Sequence, residues 1–283
     1  MTSKHQHWDP KSHEAGVEQF YGTGAEHFAD FHGGYLNFGL WDNGIKTYLE
    51  AAEHLVREMG NRAGLNKQSR LLDVACGMGA QDILLHRTFG STIDTLDVTW
   101  KHVEHSKRRV QEANLEHIIR VHHGTATNLP FDAETFTHVM SVEGPEHFNT
   151  REDFFKEAYR VLKAGGVMAL TDYNLHRPAR TLWEHMIVEG ARVLWHVPRA
   201  NYDTVESYKM KLARNGFRNI TIEEIGERVI PGYYFEQRRP KTRAALRKIR
   251  GFKGLCGGAL IDWAVYKAFK NGLIDYIIVR AEK

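Results

Sequence analysis

A chain of 283 residues with 42% hydrophobic content can bury the core of one large α/β domain with a modest lid, and leaves little room for two independent catalytic domains. Lys and Arg number 38 against 35 Asp and Glu, so the net charge of +3 excludes the strong basic field of a nucleic-acid binder. The two cysteines, Cys76 and Cys256, are far apart, which excludes a disulfide framework or a paired-cysteine metal site and fits a reducing, cytoplasmic setting.

The leader MTSKHQHWDPKSHEAG is polar, without an apolar signal core, and no apolar run reaches the ~18 residues of a membrane span, so no stable membrane insertion is expected. Residues 14–60 carry a helix-like pattern interrupted by HGGYLNFGLWDNG. Within it Tyr48, Ala51, Ala52, Leu55 and Val56 recur at helical spacing. Residues 1–60 therefore read as a leader and helical lid. From residue 70 the period changes. Strands are expected at 70–75, 92–98, 118–123, 135–142, 166–173, 220–225 and 274–281, with helices between the first five, notably at 101–114 and 151–162. Such alternation predicts an α/β fold, a Rossmann-like seven-stranded mostly parallel sheet with helices on both faces, over residues 61–283. A mostly helical insertion at 174–203, rich in Trp, Leu and Val, follows the fifth strand. Ligands bind at the carboxyl ends of such strands, so the insertion can roof a substrate; plain helical packing accounts for it equally well. The basic run RRPKTRAALRKIRGFK, 238–253, reads first as a solvated helix face.

LLDVACGMGA, residues 71–80, carries a strand into a small-residue turn and a helix start. Glycines there let backbone approach a ligand, and the helix N-terminus offers unpaired N–H groups. About twenty residues on, Asp97 closes the second strand, where an acid can accept hydrogen bonds from ribose hydroxyls. Together they indicate a nucleoside-containing cofactor, a device shared with dinucleotide-dependent oxidoreductases.

LLDVACGMG, TLDVT, GTATNLPFDAETFTHVMSVEGPEHF and REDFFKEAYRVLKAGGVMALTDY together resemble the class I S-adenosylmethionine-dependent methyltransferases, almost continuously over residues 70–173. NFGLW and GLIDYIIVRAEK are similar more weakly. The resemblance implies S-adenosylmethionine as cofactor and a general layout shared with small-molecule enzymes such as the sugar O-methyltransferases and the sterol, tocopherol and quinone C-methyltransferases. It implies that Asp73 helps hold the methionine end, that the backbone at Ala75, Gly77 and Gly79 lines the cofactor, that Asp97 grips the ribose, and that Val98 and Ala126 meet the adenine. Two positions depart from the pattern. Ala75 stands where the family has glycine and must keep φ negative or accept strain. Thr125 stands where an acid commonly receives the adenine amino group, and its hydroxyl can accept that bond without charge assistance.

A hydroxyl or acidic-carbon acceptor needs a base, whereas an amine attacks from its neutral form. Glu143, Glu146 and His147 follow the fourth strand and Asp172 ends the fifth. His147 is the first candidate base, ahead of Asp172 and Glu146, although a histidine there can also cap a helix. Tyr21, Tyr35, Phe38 and Trp41 offer aromatic faces to a sulfonium, or simply pack. His5, His7, His13, His122 and His123 show no ligand spacing, so no metal is expected. The expected activity is methylation of a small, hydrophobic, natural-product-like acceptor at oxygen or carbon, with nitrogen open. A non-catalytic cofactor-binding module and a nucleotide-dependent oxidoreductase are the alternatives. The expected partner is a small-molecule substrate and not nucleic acid; homo-oligomerisation is left open.

Overall fold

Consecutive residues of the strands face opposite sides of the sheet, and both sides are apolar, which dictates a sheet covered twice. In the computed structural model, which describes residues 12–22, 32–42 and 44–283, Leu71 joins one core cluster while its neighbours Leu72 and Val74 join the other. The strands are β1 (Arg70–Val74), β2 (Thr92–Asp97), β3 (Ile119–His123), β4 (Phe136–Val142), β5 (Leu162–Leu175), β6 (Arg218–Glu224) and β7 (Ile274–Glu282). They form one seven-stranded sheet in the order β3-β2-β1-β4-β5-β7-β6. All pairings are parallel except those of β7, which runs antiparallel to β5 and β6. The expected strands therefore lie within a few residues of the observed ones. β5 alone starts distinctly earlier, at Leu162, where a register shift lets it pair with Phe136.

The helices are α1 (His13–Gly22), α2 (Tyr48–Ala63), α3 (Ala80–Phe89), α4 (Trp100–Glu112), α5 (Arg151–Val161), α6 (Leu182–Leu194), α7 (Val205–Arg214), α8 (Gly226–Glu236) and α9 (Pro240–Lys270), the last kinked at Gly251. None is long and apolar enough to cross a membrane. A Thr47/Glu50 capping box starts α2 and a left-handed Gly64 ends it. The sequence pattern groups α2 with the lid, but its Leu55, Val56 and Met59 are fully buried against β1 and β4, so it is a layer of the core. Helices α5 and α7 cover the other face through Phe154, Phe155, Tyr208 and Leu212. Between β6 and β7, α8 and the part of α9 beyond residue 253 have no counterpart among the elements expected from sequence, which place a helix face only at 238–253. The basic run 238–253 covers the turn after α8 and the first part of α9, where Arg239 pairs with Glu236 and Arg238 lies over the Tyr234 ring.

Strand order reverses between β1 and β4, so their carboxyl ends open a crevice at the reversal. Over it lie α1, the segment 32–42 and Trp195, which follows α6. Phe38 N–H donates to Glu143 at the end of β4, and Arg228 of α8 pairs with Asp42, tying that segment to the core.

Candidate active site

The crevice holds a cavity of about 1100 Å³, counting the open space at its mouth. One end is built from successive strand ends. Ala75 and Gly77 follow β1, Asp97 and Val98 close β2, and Thr125 and Ala126 follow β3; all six line the cavity. Gly77 sits at φ +58, and a Cβ there would press on Leu36, so the turn leaves backbone facing the void. Gly77 N–H donates to Asp97 Oδ2 at 2.9 Å and Thr99 N–H to Oδ1 at 2.8 Å, fixing the carboxylate while leaving further lone pairs free. Ala75 takes φ +63, so the alanine accepts strain rather than keeping φ negative.

Two expected cofactor contacts are corrected. Asp73 is wholly buried and does not reach the cavity, because the first turn of α3 covers it. Its Oδ2 accepts a 2.6 Å bond from Gln81, and it is Gln81 that lines the wall. Burial pushes the Asp73 carboxyl up to about 6 and that of neighbouring Asp82 well above the usual range. Gly79 is also absent from the lining. It starts α3 at φ +78 against Ser106 of α4, where any Cβ would collide, so helix packing demands this glycine.

The other end gathers remote segments: Tyr21 of α1, Phe38, Glu143, Glu146, His147, Tyr173 of β5 and Trp195 after α6. His147 stands on a short 3₁₀ turn, Pro145–His147, directly after β4. Its Nε2 is 2.7 Å from Tyr21 Oη, and its carbonyl accepts from His13 Nε2 at 2.8 Å. Burial lowers the imidazole to about 4, only partly offset by the nearby Trp195 and His196 carbonyls, so it is neutral at neutral pH, and with its one proton on Nδ1 toward those carbonyls Nε2 accepts from Tyr21. Burial holds the Tyr21 hydroxyl well above its usual value and therefore protonated. Glu146 is buried, 3.8 Å from His147, with its carboxyl pushed well up by burial and then by nearby acids. Burial likewise raises Glu143 to about 8, while Oε1 accepts from Phe38 N–H and Tyr276 Oη.

Asp172, the second candidate base, does not enter the cavity. It is fully buried beneath β5, its Oδ1 bound by Arg151 Nη2 at 2.9 Å and its Oδ2 2.7 Å from Arg151 Nε and 2.9 Å from Tyr208 Oη. It is a structural anion whose lone pairs are spent on Arg151, so it neither receives a proton from an acceptor nor orients His147. Of the expected aromatic residues, Tyr21 and Phe38 line the cavity, whereas Tyr35 joins the core and Trp41 packs on Gly232. Gln81, His102, Tyr173 and Trp195 also line the cavity, and of these only Tyr173 has a signal in the sequence, the DY that ends the fifth strand.

Of the scattered histidines, His5 and His7 lie outside the described residues, while His122 bonds Asp94 and His123 bonds the Val98 carbonyl. Folding does bring His176, Glu224 and Asp275 together, with ligand-type atoms within 4.8 Å of one another. They already bond to one another and to backbone: His176 Nδ1 lies 2.9 Å from Glu224, and Asp275 receives the Gly226 and Tyr276 N–H groups.

Residues 72–170 match the family described as a methyltransferase domain. The chain is 32% identical over 210 residues to erythromycin 3''-O-methyltransferase of Saccharopolyspora erythraea, covering 72% of this chain and 69% of that protein. Among solved structures, the [4+2]-cyclase SpnF superimposes with a TM-score of 0.78 at 22% identity, over 95% of this chain and 96% of that one. The geranyl diphosphate C-methyltransferase of Streptomyces coelicolor gives 0.75 at 18%, over 97% and 99%. These two structural likenesses establish the fold.

Proposed function

Because the chain belongs to the class I S-adenosylmethionine-dependent methyltransferases, we propose that it methylates a hydroxyl of a small, hydrophobic, natural-product-like acceptor, with His147 drawing the proton through Tyr21. The observation that carries this reading is the 2.7 Å bond from Tyr21 Oη to a neutral, buried His147 in the cavity that also holds Gly77 and Asp97. The O-methyltransferase relative, by its name, supports oxygen as the acceptor atom.

The residues present fit the cofactor. The exposed turn at Gly77, the fixed carboxylate of Asp97 and the apolar flanks Val98 and Ala126 lie along one wall of a cavity large enough for it. When the cofactor binds, Asp97 would receive the ribose hydroxyls, Val98 and Ala126 would flank the base, and Thr125 would accept from its amino group. Gln81, held by Asp73, faces the methionine end. When bound, S-adenosylmethionine supplies a methyl group already activated by its sulfonium.

What the protein must add is placement and a proton acceptor. Holding the hydroxyl at attack distance supplies roughly 7–11 kcal/mol of the barrier. As its oxygen attacks, the acceptor gives its proton to Tyr21 Oη while Tyr21 passes its own to His147 Nε2. Helix α1 and segment 32–42 form the lid that carries Tyr21 and Phe38, and residues 174–203 complete the cover.

The test is methyl transfer to a panel of hydroxyl and amine acceptors by the parent and Tyr21→Phe proteins. With a hydroxyl acceptor the phenylalanine variant should lose about 10²–10⁴-fold in kcat, since its ring cannot relay a proton. Full turnover by Tyr21→Phe removes the relay.

A further inference from the structure

Behind the acceptor end lies a second, half-open chamber of about 660 Å³, counting the space at its mouth. Glu146, Tyr173 and Trp195 line both chambers, so the two share a wall and meet there. Two facing walls come from α6, through Ile187, Val188 and Ala191, and from α9, through Ala264, Val265 and Ala268. Three of these six are alanines, and their small side chains leave the space.

The polar groups around this chamber divide sharply. Arg151 is consumed by Asp172 and Asp203, Arg192 pairs with Glu189, and the Tyr202 hydroxyl donates to the Val188 carbonyl. Three atoms are left buried with no hydrogen-bond partner among the described residues: Glu146 Oε2, Tyr173 Oη and Asn174 Oδ1. Glu146 and Asn174 are 5% and 3% exposed. An unsatisfied buried polar atom costs about 1–3 kcal/mol, and three beside one apolar cavity need a common explanation.

We propose that this chamber is the binding site for a hydrocarbon branch of the acceptor, and that an oxygen at the base of the branch is held at the junction by Tyr173 Oη and the Glu146 carboxyl. The inference rests on the methyltransferase reading and deepens it, since it specifies an acceptor with an apolar arm beside an oxygen function. Burial favours the protonated form of the Glu146 carboxyl and holds the Tyr173 hydroxyl protonated, so the junction offers O–H donors suited to a neutral hydroxyl, ether or carbonyl oxygen. Asn174 Oδ1 accepts where the oxygen is a hydroxyl.

The probe is the series of straight-chain alcohols from butanol to decanol, titrated calorimetrically into protein saturated with S-adenosylhomocysteine. Affinity should rise about 3–4-fold per methylene, the equivalent of ~0.8 kcal/mol of burial, until the chamber is full. Ala191→Trp and Ala264→Phe, which fill it from opposite walls, should each flatten the series while leaving S-adenosylhomocysteine affinity unchanged. Tyr173→Phe should weaken every alcohol by about 2–10-fold, as loss of one hydrogen bond requires. A flat series in the parent protein that still binds S-adenosylhomocysteine overturns the chamber alone, as does a steep series indifferent to both fillings. Failure of S-adenosylhomocysteine to bind overturns the methyltransferase reading beneath it.

Discussion

The two ends of the main cavity are made by opposite means. At the β1–β2–β3 end the wall comes from neighbouring strand ends within residues 75–126, and its polar groups are held by nearby bonds: Asp97 by Gly77 and Thr99, and Gln81 by Asp73 beneath it. At the β4–β5 end the wall is assembled from Tyr21, Phe38, Glu143, Glu146, His147, Tyr173 and Trp195, and two of its buried oxygens, Glu146 Oε2 and Tyr173 Oη, have no partner among the described residues. A site for one invariant ligand can be fixed by its own backbone. A site for an acceptor keeps polar valences for the ligand to satisfy, and draws its walls from segments that can change independently.

The strongest way to break this division is at His147. His147→Ala should lower turnover of a hydroxyl acceptor by about 10²–10⁴-fold while S-adenosylhomocysteine affinity stays within about twofold by calorimetry. In the parent, kcat/KM should fall as pH drops through about 4, because the base works only unprotonated, and the alanine variant should lose that acid limb. An equal loss of cofactor affinity would show the two ends to be one unit. Next in size is the frame under the acceptor end. Arg151→Met strands the fully buried Asp172 without its cation, leaves Asp203 to Lys211 alone, and should cost about 3–5 kcal/mol of stability in urea unfolding.

At the cofactor end, Asp97→Ala should weaken S-adenosylhomocysteine by about 1–3 kcal/mol, with kcat at saturating cofactor little changed. The smallest effect sharpens the point about backbone: Ala75→Gly relieves a left-handed alanine at φ +63 and should stabilise the fold by about 1 kcal/mol, read as a raised denaturation midpoint.

The cofactor end was largely legible in the sequence because its chemistry is local. A strand, a turn that needs left-handed backbone at Gly77, and an acid at the next strand end all follow from contiguous residues and element periods. Where that reading erred, a neighbouring helix had intervened: α3 covers Asp73, and Ser106 of α4 crowds Gly79. His147 and Glu146 could be placed at the end of β4 from their position alone.

What the sequence by itself determined, then, is the sheet, its helical cover and the family of cofactor, since alternation and turn chemistry act within short stretches of chain. Only the tertiary structure decided which strand-end acids are available. Asp172 and Glu146 look alike in sequence. One is bound by Arg151 and Tyr208, brought from 21 and 36 residues away, and the other is buried with an oxygen that has no partner among the described residues. The same holds for Tyr21, which reaches His147 across 126 residues. Partnership and desolvation depend on segments distant in the chain, so the proton affinity and availability of a side chain are properties of the packed molecule.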